Sequence, residues 1–332
     1  MRKGIIGLVL IGMIVSGCSC QERRDSAAVV SIPSVSIHRF DKALYQYACS
    51  EDSLTTAFPE EYKGMLDLIG QAVLNIKSSD DEAFWPEVRR YYSEPTLRKL
   101  YQDAIRTYDS IPRLEEKLTA GFAFMKSEFP GMRIPKVYMH VSGFNQNVLV
   151  TDSLLSLSID KYLGADYPLY KEFFYPDQRR RMSPVFVPQD YLRGWVMAEY
   201  PFDGNPDVLL DRMVYEGKLV CLVADALDLN PAKIMGYMKA EEDWCEQNEE
   251  MVWRSIIEQK RLYTPDRLMT ATYFDGTFNR PFAEQGAPSL LGVWLGWRIV
   301  KLYMEETGCS YAELFAEKDA QCILTLSKYK PF

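Results

Sequence analysis

The chain has 332 residues, a net charge of -8 and 47% hydrophobic residues, which describes an acidic globular protein long enough to bury a sizeable core. Apart from one short basic run it has no cluster of cations that would neutralise phosphates, so nucleic acid is excluded as an expected partner. Its two histidines, His38 and His140, also leave little material for a metal site or a serine triad.

The N-terminus has the layout of a secretory signal peptide that ends at a lipid-modified cysteine. Arg2 and Lys3 precede an apolar run at residues 5–15, which is too short to span a bilayer. The local pattern "VSGC" resembles the bacterial lipobox, in which the cysteine, here Cys18, is acylated. Several acyl chains on one residue exceed the marginal binding of a single chain, so we expect a permanent anchor. The predicted organisation is a signal peptide at 1–17, a lipidated tether at 18–35 and a single domain at 36–332.

The residues after Cys18 favour the outer membrane. The residue after Cys18 is Ser19, whereas many lipoproteins that are retained in the inner membrane have an aspartate at this position. The acidic signal for surface display is reduced to Glu22 followed by Arg23 and Arg24. We therefore expect the lipoprotein to face the periplasm.

Helical spacing of apolar residues dominates the domain. It predicts helices over residues 60–76, 81–92, 96–108 and 113–129 and, after an interruption, over 188–200, 211–227, 230–238, 241–259 and 288–306, with a final amphipathic piece. In residues 134–164 alternation replaces this spacing, with turn residues at "SGFNQN" and "TDS". We interpret this stretch as three strands of a small antiparallel sheet. The predicted fold class is α+β, predominantly helical.

The run Arg179–Arg181 follows the turn signal "YPD" and is interpreted as a solvated loop, with anionic lipid as the alternative. The cysteines are scattered, and Cys221 and Cys322 lie in apolar helical patterns. The chain is too large to need disulfides, so we expect mostly buried thiols.

The stretch "YEGKL" matches the frame H-E-x-x-H of zinc peptidases with both histidines replaced. Glu216 falls on the catalytic glutamate, and Tyr215 and Leu219 fall on the ligands. A sheet followed by such a helix is also the order of elements in zincin peptidases. Without metal, Glu216 has no activated water to deprotonate, so it is the best residual catalytic candidate of a degenerate site.

The sequence resembles the gliding motility-associated lipoprotein GldB family of Bacteroidota, which is similar to a family of predicted zinc peptidases. The resemblance is carried by "IHRFDKALY", "SIDKYLGADYPLY", "MVYEGKLV", "LYTPD", "GVWLGWRIVKLYM" and "SKYKP". The resemblance implies a zincin-like fold and a role in an envelope assembly. It also implies protein partners and attachment of the protein to the membrane through the lipid anchor.

Each candidate residue also has a structural interpretation. Glu216 is favoured as a partly buried carboxylate paired with Arg212, and Gly217 as a site of close helix packing. His140 is favoured as a satisfied core or edge-strand residue, and Asp160 as a helix cap. If the site survives as an empty groove, it should be lined by Tyr215, Glu216, Leu219, His140, Asn145 and Asp160. A third ligand position would come from Glu241, Glu242, Glu249 or Glu250.

Three functions remain. The favoured one is a catalytically inactive, zincin-like pseudopeptidase that binds a protein partner and holds no metal or cofactor. The second is a metal-dependent hydrolase with an unrecognised ligand set, and the third is a glycan-binding surface lipoprotein that uses its tryptophans.

Overall fold

The computed structural model describes residues 30–49, 58–76, 78–274 and 280–331. The predicted signal peptide and Cys18 lie outside the described residues. Within them the chain is predominantly helical with one small sheet, as predicted. The strands are β1 (Ile37–His38), β2 (Lys136–His140), β3 (Val148–Val150) and β4 (Leu154–Ser158). The helices are α1 (Phe40–Cys49), α2 (Lys63–Ile69), α3 (Phe84–Tyr92), α4 (Pro95–Thr107), α5 (Pro112–Glu128), α6 (Tyr170–Phe173), α7 (Pro176–Arg180), α8 (Val187–Glu199), α9 (Leu209–Leu227), α10 (Pro231–Ile234), α11 (Lys239–Glu258), α12 (Arg267–Thr272), α13 (Leu291–Thr307), α14 (Tyr311–Ala316) and α15 (Ala320–Leu326).

The long helices form where the sequence has apolar residues at three- and four-residue spacing. α5 begins at Pro112, which lacks the N–H that a first turn leaves unpaired, and it buries Leu118, Phe122 and Met125 along one side. In α9, by contrast, buried residues occur all round the helix. Other elements therefore surround α9, and it is the central helix of the domain.

The sheet is mixed and has a fourth strand, in the order β1-β2-β4-β3. β3 and β4 form the expected antiparallel hairpin, closed by the N–H of Thr151, which donates to the carbonyl of Leu154 at 2.9 Å. β2 pairs with β4 in parallel, and β1 pairs with β2 in parallel. The prediction of an antiparallel sheet is therefore wrong for β2. Turn residues show where a strand ends, but they do not show that β4 returns between β2 and β3.

Asp160 holds the ends of β2 and β4 together. Its carboxylate accepts hydrogen bonds from the backbone N–H of Ser142 at 3.4 Å and of Phe144 at 2.9 Å, in the loop that follows β2. The hydroxyl of Ser158, at the end of β4, also donates to Asp160. The carboxyl ends of two neighbouring strands lie at one edge only when the strands are parallel, so these bonds support the parallel pairing. The prediction that Asp160 caps a helix is wrong, because the 3₁₀ turn Ile159–Lys161 has no side-chain cap.

α9 and α13 cross in direct backbone contact. A Cβ atom on Gly217 would lie 2.2 Å from the carbonyl oxygen of Gly296, and one on Gly296 would lie 1.8 Å from the carbonyl oxygen of Met213. Only glycine fits at such a crossing. The expectation that Gly217 marks close helix packing is confirmed.

α8 connects the sheet to α9. It packs on β3, β4 and α9. The hydroxyl of Tyr191 donates to the carbonyl of Tyr138 in β2 at 2.7 Å, and Arg193 of the same helix binds Glu216 of α9. The helix that carries Glu216 is therefore linked to the strands through α8.

The first described residues already pack on the domain. Val35 is buried and its N–H donates to the hydroxyl of Thr119 at 2.9 Å, while the N–H of Ile37 donates to Glu115 at 2.8 Å. Both acceptors lie on α5. The chain therefore enters the domain along α5.

None of the four cysteines with described side chains is in a disulfide. Cys221 and Cys245 are buried, as expected, and Cys309 and Cys322 are half-buried. Burial raises the pKa of the Cys245 thiol to about 12, so this group is uncharged at neutral pH.

Candidate functional site

Glu216, at the position of the catalytic glutamate in the H-E-x-x-H frame, is bound to Arg193. One guanidinium nitrogen lies 2.9 and 2.7 Å from the two carboxylate oxygens. The exposed fractions of the side chains are 18% for Glu216 and 29% for Arg193, so water screens the pair only in part. The prediction that Glu216 pairs with Arg212 is wrong. Its guanidinium lies 4.1 Å from the centre of the Phe274 ring, whereas Glu216 points to α8.

The two positions that histidines would occupy serve the fold. The hydroxyl of Tyr215 donates to the carbonyl of Tyr200 at 2.9 Å, and its ring packs on Phe202 with centroids 5.1 Å apart. Burial raises the pKa of Tyr215 to about 12, which keeps the phenol neutral at physiological pH. Leu219 is fully buried in the core. Neither residue presents a metal ligand in this arrangement.

His140 is a core residue with both ring nitrogens satisfied. Nδ1 lies 2.8 Å from the hydroxyl oxygen of Ser156, and Nε2 lies 3.2 Å from the carbonyl oxygen of Gln146. Burial lowers the pKa of His140 to about 4, so the ring is neutral at physiological pH. This is the structural role that the sequence favours.

The six residues predicted to line one groove are not brought together in a single concavity. Three of them, Leu219, His140 and Asp160, are fully buried. Asn145 is exposed in the loop after β2, and Tyr215 and Glu216 are held by their own partners. The expectation fails because α8 packs between α9 and the strands that carry the other candidates.

The glutamates considered as a third ligand also have partners of their own. Glu249 accepts hydrogen bonds from Tyr329 at 2.7 Å and from Arg298 at 3.1 Å, and Glu241 forms an ion pair with Arg180 at 2.6 Å. Among the described residues, no three His, Cys, Asp or Glu side chains are grouped so that they could hold a metal ion.

A polar path that the sequence did not reveal extends from α8 to the loop before β3. Asp190 lies one helical turn before Arg193, and its carboxylate accepts a hydrogen bond from the hydroxyl of Tyr162 at 2.6 Å. The amide of Asn147 donates to the same hydroxyl oxygen at 3.0 Å. Burial raises the pKa of Asp190 and of Tyr162. These groups lie in a weakly hydrated part of the molecule, where unpaired charges are costly.

The polar path ends at a cavity of about 280 Å³, here called the α7–α8 cavity. It lies between the 3₁₀ turn after β4, the segment around α7 and the start of α8. Lys161 and Arg181 supply two cations, and Phe174 and Phe186 supply apolar surface. The remaining lining residues are Asn147, Tyr162, Gln178, Met182, Gln189 and Asp190.

The basic run Arg179–Arg181 belongs to this part of the fold and is not a solvated loop. Arg180 forms ion pairs with Asp177 at 2.9 Å and with Glu241 at 2.6 Å. The Nε of Arg179 is buried and has no hydrogen-bond partner in the described part of the chain. Arg181 is half-buried and lines the α7–α8 cavity. The prediction of a solvated loop is wrong because Glu241 of α11 packs on the run. α11 lies far along the chain, so the sequence around the run does not indicate this contact.

The family model of the gliding motility protein GldB matches residues 22–331, which is nearly the whole chain. The chain belongs to the GldB family. No curated protein and no solved structure matches it.

Membership of the GldB family confirms the resemblance and identifies a lipoprotein of the gliding-motility type, a component of the cell envelope. The GldB match begins after Cys18, so acylation of that residue stays a prediction. Across the described residues, none of the helices is both long and apolar enough to cross a membrane.

Proposed function

We propose that this GldB-family protein is held at the periplasmic face of the outer membrane by lipid on Cys18, and that it acts in an envelope assembly by binding a protein partner and not by catalysis. The observation that carries the proposal is the ion pair between Glu216 and Arg193. A distant relation to zinc peptidases is supported by the order of elements alone, because a small sheet precedes α9.

The ion pair gives Glu216 a structural function. A general base must be free to take a proton from water, but both oxygens of Glu216 are engaged by one guanidinium. The pair joins the central helix α9 to α8, and α8 in turn packs on the strands. Glu216 therefore holds α9 in a fixed position relative to α8 and, through α8, to the sheet.

The lipid anchor would keep the domain close to the membrane. Cys18 and Val30, the first described residue, are separated by a segment that spans at most about 40 Å when fully extended. Because the chain enters along α5, that side of the domain would face the membrane. A protein held in this way is suited to contact other envelope components with its remaining surface.

The test compares Glu216→Gln, Arg193→Gln and the double variant in the full-length lipoprotein. If the pair is structural, each single variant loses about 2 kcal/mol of unfolding free energy, a value reduced from that of a fully buried pair because both groups are partly exposed. The double variant should lose less than the sum of the two. Urea denaturation followed by circular dichroism measures all four proteins.

The zinc content of the purified protein tests the alternative of a metal-dependent hydrolase. Stoichiometric zinc in the wild type that is lost in Glu216→Gln or Tyr215→Phe, with the stability unchanged, would overturn the proposal and favour a metal-dependent hydrolase. A glycan array on the same protein would separate protein binding from glycan binding.

A further inference from the structure

The α7–α8 cavity contains two cations whose side chains form no direct ion pair among the described residues. Neither the Lys161 ammonium nor the Arg181 guanidinium forms an ion pair or a hydrogen bond with another residue in the part of the chain that the structure describes. Both are half-buried, and burial lowers the pKa of both. The surroundings therefore disfavour their charges, and a bound anion would stabilise them.

The charge balance favours an anion with a single charge. Arg193 is neutralised by Glu216, which leaves Asp190 as the acid among the lining residues. The side chains that line the cavity carry a positive net charge whether or not Asp190 is ionised, and the Asp190 carboxylate would repel a doubly charged phosphate more than a carboxylate. Arginine also presents a planar fork that matches a carboxylate.

The apolar surroundings indicate what accompanies the carboxylate. Phe174 and Phe186 line the cavity, and the residues that precede them, Phe173 and Val185, have exposed fractions of 63% and 62%. The volume of about 280 Å³ lies at the small end of ligand pockets, so it suits one or two residues of a peptide and not a large cofactor.

We propose that the α7–α8 cavity binds the carboxylate of a partner peptide, with Arg181 and Lys161 as the anion-binding residues and an adjacent apolar side chain of the peptide against Phe174 and Phe186. This inference rests on the proposed function, because it names the chemistry by which the protein would recognise a partner. The carboxylate can belong to a chain terminus or to an acidic side chain.

Isothermal titration calorimetry on the full-length lipoprotein in non-ionic detergent, at low ionic strength, tests the proposal. The probes are acetyl-Ala-Phe with a free carboxyl end, acetyl-Asp-Phe-amide with a side-chain carboxylate, the neutral acetyl-Ala-Phe-amide, and inorganic phosphate. At least one of the carboxylate peptides should bind at least about tenfold more tightly than the neutral amide. Which of the two binds identifies the source of the carboxylate.

Variants connect the binding to the cavity. Arg181→Gln and Lys161→Gln should each weaken carboxylate binding at least about tenfold, while thermal unfolding stays at the wild-type temperature or above because no ion pair is lost. Lys171→Gln and Arg133→Gln remove exposed cations and serve as matched controls that keep the affinity. If Arg181→Gln does not fold, Arg181→Lys keeps the charge without the planar fork and should still weaken binding.

Four results would overturn the inference: absence of carboxylate binding, equal binding of the neutral amide, preferential binding of phosphate, or full affinity in both Gln variants. None of them bears on the zinc content or on the coupling between Glu216 and Arg193. Failure of this inference is therefore distinguishable from failure of the proposed function.

Discussion

The crossing of α9 and α13 makes a strong prediction about Gly296→Ala. The new Cβ would lie 1.8 Å from the carbonyl oxygen of Met213, whereas real Cβ atoms are essentially never found closer than 3.0 Å to such an atom. The atoms that it meets belong to the helix backbone and cannot rotate away. The two helices must therefore move apart by roughly 1 Å.

The cost of this movement follows from the number of side chains packed on both helices. A gap of about 1 Å already removes a quarter to a half of the dispersion energy of each contact, and overpacked cores lose about 1–3 kcal/mol or more. Alanine returns roughly 1 kcal/mol through its higher helix propensity. We therefore expect Gly296→Ala to lower the free energy of unfolding by about 2–3 kcal/mol.

Urea denaturation followed by circular dichroism measures this loss, and Gly64→Ala is the matched control. Gly64 lies in α2, where the nearest atom to a new Cβ would be 4.0 Å away, so that variant should gain roughly 0.5–1 kcal/mol. Gly217→Ala should be destabilised like Gly296→Ala, and the double variant by less than the sum, because one displacement relieves both clashes. A Gly296→Ala protein as stable as the wild type would refute the backbone contact.

Three further predictions concern titration and anchoring. The buried His140 has a pKa of about 4 in the folded protein, against about 6.5 in the unfolded chain. As the pH falls, the unfolded chain therefore binds the proton first, and roughly 3 kcal/mol of unfolding free energy should be lost between pH 6.5 and 4. His140→Gln should flatten that part of the urea-derived stability profile, and an unchanged profile in His140→Gln would contradict the assignment. Burial lowers the pKa of Lys218 to about 8, so stability should rise between pH 8 and 10.5 as the folded state releases its proton first, and Lys218→Met should lose this rise in the same denaturation assay. Cys18→Ser should abolish acylation and membrane fractionation, and protease shaving of intact cells should spare the wild-type protein if it faces the periplasm.

The sequence predicts the helices well because their apolar spacing is a local property. The residues of α5 that point into the core, Leu118, Phe122 and Met125, are recognisable from spacing alone. The order of strands is not local. Nothing near Asp160 shows that its carboxylate binds the loop after β2, and that interaction accompanies the parallel pairing of β2 with β4.

Ion pairs show the same division between local and distant information. Arg212 is one helical turn from Glu216, so sequence spacing favours it as a partner, whereas Arg193 lies on another helix. The burial of Arg181 is likewise not determined by the neighbouring sequence, because it depends on how the segment around α7 packs on α8. One signal was present in the sequence, since three consecutive arginines follow a region rich in aromatic residues. That combination is typical of a cationic group placed beside apolar surface.

The structural function of Glu216 and the proposed carboxylate site are connected through α8. Asp190 and Arg193 lie three residues apart on that helix, at a spacing that allows them to pair. Because Glu216 of α9 takes Arg193 as its partner, Asp190 accepts the hydroxyl of Tyr162 instead, and it is the acid that lines the cavity with two cations. Glu216, which gave α9 the look of a catalytic helix, thereby keeps Arg193 away from Asp190, and the Asp190 carboxylate offsets part of the positive charge of the α7–α8 cavity. Removal of Glu216 should release Arg193 toward Asp190 and alter anion binding at a site that Glu216 does not line.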